Sequence, residues 1–237
     1  MNPKRIRWGV VGLGTLGIAA VVVLHWMVFF WVPTESSMGV IQRIFYIHLP
    51  AWWVTFMAFG MVALCSAVYL WLGDERLDMA ALAAAEGGML FATIGLVTGP
   101  LWGRVAWGAW WTWEPRLTLA LLLWFIYRGY FLVRRSTTNP EQGKRLAAVV
   151  GIIGVLDIPL IHISVSWLRS LHPEAVVMRP DGPNLDSAML WTLMVGLLAF
   201  TLLFLSLFLA RYAVERLERE LALREATPAP AHGVEVS

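Results

Sequence analysis

Six long runs of apolar residues, separated by short polar segments, organise this chain. A helix needs about 20 predominantly apolar residues to cross about 30 Å of hydrocarbon, and every run approaches or exceeds that length. The pattern predicts an all-α, polytopic membrane protein with six transmembrane helices. The runs cover residues 8–32, 44–72, 79–100, 117–133, 146–168 and 188–210.

These runs group into one membrane domain, residues 1–210, followed by a charged tail at 211–237. The tail begins with the charge pattern of a helix, because Glu215 and Arg219 are four residues apart. Its last eleven residues, TPAPAHGVEVS, have the composition of a disordered segment. Within the third run, small residues such as Gly95 and Gly99 recur four apart, which favours close helix packing in lipid.

The distribution of basic residues predicts how the helices are oriented in the membrane. An even number of spans puts both termini on one side, so the connecting segments form two sets. The set that includes both tails carries thirteen Lys and Arg, and the set with the loops after spans one, three and five carries five. Because cytoplasmic loops are enriched in basic residues, we predict that both termini are cytoplasmic.

Composition excludes several classes of protein. Of the 237 residues, 59% are hydrophobic and 14% are charged, whereas roughly 25% charged residues are usual in soluble domains. A net charge of +2, spread over the ends of apolar runs, gives no basic stripe for nucleic acid. The single Cys65 excludes a CxxC redox pair and a CxxCH attachment site for haem.

Two histidines lie near the predicted outer face. His48 stands where the chain enters the second run, and His162 precedes the end of the fifth run by six residues, roughly 9 Å at the helical rise. We therefore expect the two imidazoles to share a depth. Intramembrane histidines are costly and usually have a partner or a task. Each alone is a candidate packing residue, but together they suit the two axial positions of haem iron better than a zinc site, which needs three or four ligands.

A tryptophan-rich segment, residues 101–117, is predicted to form the outer loop between spans three and four. Five of the twelve residues from 102 to 113 are Trp, interleaved with glycines. An aromatic belt at the membrane interface is one explanation. A platform for a flat ligand fits better, because glycine lets the backbone approach such a ligand and indole rings cover its face.

Charged residues border this segment. Arg43 and Arg116 can reach a propionate carboxylate, and either can equally anchor to headgroup phosphates. Glu114 can pair with Arg116 or accept a hydrogen bond from a ligand imidazole. These alternatives stay open at the level of the sequence.

The motifs resemble a known family. WGAWWTWEPRLT resembles the tryptophan-rich signature, the WWD domain, of membrane proteins that handle haem during cytochrome c maturation. The flanking segments RIFYIHLPAW and DIPLIHISVSWLRSLH, with six spans, resemble the haem exporter protein C (CcmC) branch over residues 43–172. Glu114 and Pro115 stand where the usual pattern has Asp and Ala, which puts the placement of the carboxylate in question.

The resemblance implies that the chain binds haem b at the periplasmic side of the bacterial inner membrane. It implies delivery of the haem to a periplasmic haem chaperone (CcmE), beside an ATP-binding cassette complex in the same membrane. By resemblance His48 and His162 are the axial ligands, and Arg43 and Arg116 lie near haem or the chaperone. The implied platform and chaperone contact consists of Trp107, Gly108, Trp110, Trp111, Trp113 and Glu114.

Two other functions remain open. A b-type cytochrome subunit for electron transfer would use similar bis-histidine ligation, with His25 and His172 as further candidates. A haem transporter would need a polar path through the bilayer, for which Asp157 and Glu86 are the carboxylates well inside spans. No side chain has the setting of a catalytic nucleophile or base, so whether the protein is an enzyme stays open.

Overall fold

The computed structural model describes residues 3–168, 172, 177 and 181–226, and this part of the chain is almost entirely helical. A π-helical turn, Met27–Trp31, continues the first helix, and a 3₁₀ turn, Val40–Ile44, precedes the second. The described residues form no β-strand. The α-helices are α1 (Pro3–Trp26), α2 (Phe45–Leu72), α3 (Glu75–Trp107), α4 (Pro115–Arg135), α5 (Pro140–Val155), α6 (Asp157–Trp167) and α7 (Ser187–Ala226).

Six helical segments are long and apolar enough to cross a membrane, which confirms the predicted fold class. The π turn extends α1, and α5 and α6 together make the fifth segment. The cytoplasmic location of the termini stays a prediction.

The tryptophan-rich segment is mostly helical, not a loop as predicted. Helix α3 continues through Pro100 to Trp107, so the connection between α3 and α4 is only residues 108–114. Proline removes one backbone donor and strains one turn, but here it does not end the helix. Gly108 does, with a left-handed φ of 76° that glycine adopts without steric cost.

The fifth span is interrupted between α5 and α6. Leu156 forms the turn, and Pro159 follows three residues later, so the proline ring and its missing N–H disfavour a continuous ladder. Asp157 begins α6 and is buried, with no hydrogen-bond partner for its Oδ2 in the structure. The break therefore places a carboxyl group inside the bundle.

The last helix runs past the predicted boundary of the membrane domain. Helix α7 is continuous for 40 residues, so position 211 falls inside it. Arg211 binds both Glu215 and Glu86 of α3, at 2.9 and 2.6 Å. Arg219 contacts Glu75 of α3 instead of Glu215. The segment predicted to be disordered lies outside the described residues.

Small residues of α3 receive aromatic rings from α2, its most extensive packing partner. A Cβ atom at Gly88 would lie 2.6 Å from the Phe59 ring, and one at Gly95 would lie 2.6 Å from the Trp52 indole. These distances confirm the predicted role of the small residues in close packing. The same contacts hold α2 and α3 against each other toward the end of the bundle that carries the tryptophans.

Candidate functional site

We call the end of the bundle formed by residues 33–44, 108–116, 168, 172 and 181–186 the loop end. The opposite end, which carries the start of α1 and the ion pairs of α3 and α7, is the basic end. The candidate ligands His48 and His162, the tryptophan platform and the two arginines predicted from the sequence lie at the loop end or within two helical turns of it.

His48 lies in the first turn of α2 and faces α3. Its Nδ1 is 2.9 Å from Thr98 Oγ1, and its ring packs edge-on against Trp102 at 5.8 Å. A Cβ atom at Gly99 would be 3.4 Å from the imidazole, so α3 leaves just enough room for the ring. With Nδ1 engaged by a hydroxyl, Nε2 is the nitrogen left for a ligand.

His162 does not lie beside His48. Its ring packs on Phe56 at 5.2 Å, and Phe56 is eight residues further along α2 than His48, about 12 Å at the helical rise. Trp52 stands between them, 5.6 Å from Phe56 and 6.4 Å from His48. The expected common depth of His48 and His162 is therefore not found, while the ligand role of His162 stays a prediction.

His172, which the sequence placed in a loop beyond span five, enters the site instead. Its Nδ1 contacts the carboxylate of Glu114, and its ring lies 5.0 Å from the Trp107 indole. It is also within electrostatic reach of His48. Its contact partners are 58 or more residues distant in sequence, so no local pattern revealed them.

Glu114 thus contacts the imidazole of His172, and it is also within electrostatic reach of Arg116. The carboxylate is 7% exposed, and its acceptor oxygen requires that Nδ1 of His172 carry the proton. Burial lowers the pKa of His172, and the hydrogen bond to Glu114 opposes that shift. The contact with Glu114 orients the imidazole, as carboxylate partners do for histidines that bind metal.

The connection between α3 and α4 presents tryptophan rings outward. Trp110 and Trp113 are 58% and 70% exposed, whereas Trp107 and Trp111 are partly buried. Trp113 has a left-handed φ of 52°, a conformation that costs a bulky residue of order 1–3 kcal/mol and marks functional sites more often than structural ones. The Trp113 ring lies on the surface, 5.7 Å from Trp111.

Between this connection and α3 lies a narrow cleft lined by Gly103, Trp107, Trp111 and Leu117, among others. Its volume of about 10 Å³ is that of one water molecule. A porphyrin does not fit inside it. A ligand of that size would therefore lie against the outer surface of the tryptophan rings.

Several buried donors at the loop end lack acceptors in the structure. They are the Nε of Arg43 and the indole N–H groups of Trp102 and Trp111. Arg43 also lies over the Phe29 ring at 5.9 Å, and Arg116 is within electrostatic reach of both Glu114 and His48. Unpartnered donors beside two cations fit a ligand that brings carboxylates, as the propionates of haem do.

The remaining candidates from the sequence lie apart from this cluster. His25 is exposed on α1, with Nδ1 2.8 Å from the Val21 carbonyl oxygen. Glu86 pairs with Arg211 near the basic end, so it is a structural ion pair and not an open carboxylate on a polar path. Among the described residues, no three His, Cys, Asp or Glu side chains converge as a metal site would require.

Comparison with known proteins matches residues 5–227 to the family model described as "Heme exporter protein C". The chain belongs to the haem exporter protein C family. Proteins of that name in three bacteria are similar over most of their length. The Bradyrhizobium diazoefficiens protein is 38% identical over 80% of this chain and 72% of its own length. The Haemophilus influenzae protein is 32% identical over 79% and 76%, and the Escherichia coli K12 protein is 34% identical over 83% and 80%.

Family membership and six spanning helices make this chain a multi-pass membrane protein. The matched region includes every candidate ligand, the tryptophan connection and all six spans. In this member of the haem exporter protein C family, Pro115 occupies the first turn of α4, where its missing N–H costs nothing. The substitution at the signature thus leaves the helix start intact and the Glu114 carboxylate directed at His172.

Proposed function

We propose that this protein binds haem b at the loop end and delivers it to a periplasmic haem chaperone (CcmE) during assembly of c-type cytochromes. The name of its relatives, which describes haem export, supports this function. One structural observation carries it furthest. His48 packs against Trp102 and His172 against Trp107, five residues later on α3, and His172 also contacts Glu114, although these residues come from distant parts of the sequence.

His48 supplies one axial ligand in this proposal. Its Nδ1 is held by Thr98, so its orientation is fixed before haem binds. For the second ligand there are two candidates. His162 is the one that the resemblance implies, and His172 is the one within electrostatic reach of His48 and oriented by Glu114. The geometry favours His172.

The tryptophan connection holds the porphyrin and leaves one edge accessible. Trp110 and Trp113 are exposed where a soluble partner could reach them, and a flat ligand against their rings would be shared between protein and partner. Arg43 and Arg116 bind the propionates and thereby set which edge points outward. This chain contributes positioning, while the chemistry of attachment belongs to haem and the chaperone.

The proposed location follows from the same arrangement. The loop end lies on the periplasmic side of the bacterial inner membrane, and the basic end lies in the cytoplasm, in keeping with the distribution of Lys and Arg. We also propose that the chain works beside the ATP-binding cassette complex of cytochrome c maturation.

The test uses full-length protein purified from haem-replete cells that also produce the chaperone. Replacing Trp110 and Trp111 together by Ala should leave the Soret band in place and abolish copurification of the chaperone. The matched control is Trp191→Ala, since Trp191 is 64% exposed on α7 and lies outside the connection. If the chaperone still copurified with the double variant, the tryptophans would be only an aromatic belt at the membrane interface.

A further inference from the structure

His162 lies in a setting that its distance from His48 leaves unexplained. It is exposed on α6, inside the fifth apolar span, and so are Pro159 and Ser166, which lie three residues before it and four after it on the same helix face. This face of α6 is therefore directed toward hydrocarbon. An imidazole exposed to hydrocarbon is costly, and such residues are functional candidates by default.

The nitrogen atoms of His162 are arranged for a ligand. Its Nδ1 is 3.0 Å from the Ile158 carbonyl oxygen, one turn earlier on α6. A carbonyl can only accept, so Nδ1 carries the proton and Nε2 holds the lone pair. An imidazole fixed by a backbone carbonyl in this way is the usual state of a histidine that binds metal.

A continuous line of rings joins His162 to His48. Trp52 and Phe56 follow His48 at intervals of four residues, which places all three on one face of α2. We call His48, Trp52, Phe56 and His162 the aromatic row. Adjacent ring centroids are 6.4, 5.6 and 5.2 Å apart, so a planar apolar ligand finds a stacking partner at each step.

We infer that His162 is a receiving site for haem that arrives through the lipid. Haem binds there through one axial imidazole, with its face against Phe56, and then moves along the aromatic row to His48 and His172 at the loop end. This inference rests on the proposed function and adds the step before it. It explains why His162, a third histidine, lies within a membrane span and apart from His48 and His172.

The first test asks whether His162 binds haem when the final pair is absent. The full chain in lipid nanodiscs, with both His48→Ala and His172→Ala, should take up haem from vesicles and give the spectrum of a single imidazole ligand. Adding His162→Ala should remove that spectrum. A double variant that binds no haem would overturn the receiving site.

The second test separates the rate of loading from its end point. His162→Ala should give the wild-type final spectrum but load about tenfold more slowly, a barrier increase of ~1.4 kcal/mol. His162→Leu provides a second lipid-compatible variant. His25→Ala is the matched control, because His25 is also exposed with Nδ1 on a backbone carbonyl but lies outside the aromatic row.

The outcomes distinguish this inference from the proposed function. Loading at the wild-type rate in both His162 variants would overturn the receiving site alone. Loss of the final spectrum in His162→Ala would make His162 a member of the final pair and also overturn it. Failure of the proposed function looks different, since the wild-type protein would then bind no haem or His48→Ala would leave its spectrum unchanged.

Discussion

The two ends of this helical bundle differ in how their buried polar groups are paired. At the basic end, Arg134 of α4 binds Asp78 of α3 through two contacts of 2.6 and 2.5 Å, and Lys144 of α5 binds Glu75 at 2.7 Å. At the loop end, by contrast, buried donors of Arg43 and Trp111 lack acceptors in the structure. Ion pairs between helices hold the basic end together, although Arg211 Nη1 has no hydrogen-bond partner there. Most of the buried polar atoms without partners in the described part of the chain lie at or near the loop end, where a ligand could supply them.

Backbone strain follows the same division. Trp113, at the loop end, is the only non-glycine residue with a positive φ in the described chain. Asp74, at the basic end, forms an ordinary helix cap in which its side chain accepts from the Arg76 N–H. The hydrogen bonds that Arg76 donates from its side chain and from its backbone N–H lower the pKa of Asp74. Strain and unmet hydrogen bonds thus concentrate where the bundle would meet haem.

The largest expected effect is loss of haem from the loop end without loss of the bundle. His48→Ala should remove the bis-histidine spectrum from the purified protein, because it deletes the imidazole on which both proposed pairings depend. The temperature of unfolding of the haem-free protein should change little. His25→Ala serves as control and should retain the wild-type spectrum. A His48 variant with the wild-type spectrum would end the division of roles between the two ends.

The next effect is the reverse, loss of stability with the site intact. Asp78→Asn leaves the Arg134 charge without its partner at a position where the two side chains are 4% and 12% exposed. Breaking such a buried pair costs roughly 3–5 kcal/mol, which thermal unfolding in detergent would detect. Haem bound per folded molecule should be unchanged.

A matched ion pair controls for charge alone. Arg76→Ala removes the partner of Asp74, but the Arg76 side chain is 77% exposed, so we expect a much smaller loss of stability than in Asp78→Asn. If the two substitutions destabilised the protein equally, burial at the basic end would not explain its stability.

A smaller effect is expected from Glu114→Gln, which keeps the shape but removes the charge beside His172. Loss of a carboxylate that orients a ligand imidazole typically costs 10–100-fold in metal affinity. Haem titration of the purified variant at pH 7 measures this. An affinity equal to that of the wild type would show that Glu114 does not orient a ligand.

We also expect Glu114→Gln to change the pH dependence of haem binding. Burial holds the pKa of His172 below its ordinary value and Glu114 raises it, so neutral His172 persists to lower pH once the charge is removed. In the wild type, haem binding should fall as the pH drops through the His172 pKa. In Glu114→Gln the midpoint should move to lower pH, although affinity at pH 7 is weaker. A midpoint that moved upward would contradict the assigned contact.

The smallest effect concerns the strained tryptophan. Trp113→Gly relieves the left-handed conformation and should stabilise the haem-free protein by about 1 kcal/mol, while capture of the chaperone decreases. Trp110→Gly is the control, since Trp110 is exposed without a positive φ and should give no such gain. Differential scanning calorimetry of the two variants compares them.

Local patterns in the sequence were sufficient for the spans but not for the contacts between them. Apolar run length predicted all six membrane helices, because hydrocarbon thickness fixes that length. It misjudged the end of the third span, where Pro100 is accommodated inside α3 and Gly108 ends the helix. The candidate loop was therefore too long, although its tryptophans were correctly located near one end.

The sequence patterns did not predict contacts between residues that are far apart in the chain. Glu114 and His172 are 58 residues apart, and Glu86 and Arg211 are 125 apart, so neither pair has helical spacing. The histidine at the end of DIPLIHISVSWLRSLH did stand within the recognised motif. Because this histidine, His172, lies beyond the apolar run, the pattern predicts only that it is in a loop. The pattern does not indicate which distant residues it is near.

The central claim is that His48 and a second imidazole meet at the loop end, and absorption spectra of three variants test it most directly. His48→Ala, His162→Ala and His172→Ala are each purified and loaded with haem in nanodiscs. The account predicts that the first and third lose the bis-histidine spectrum and that the second retains it. Loss in His162→Ala with retention in His172→Ala would contradict the favoured pairing, and retention in His48→Ala would contradict the claim itself.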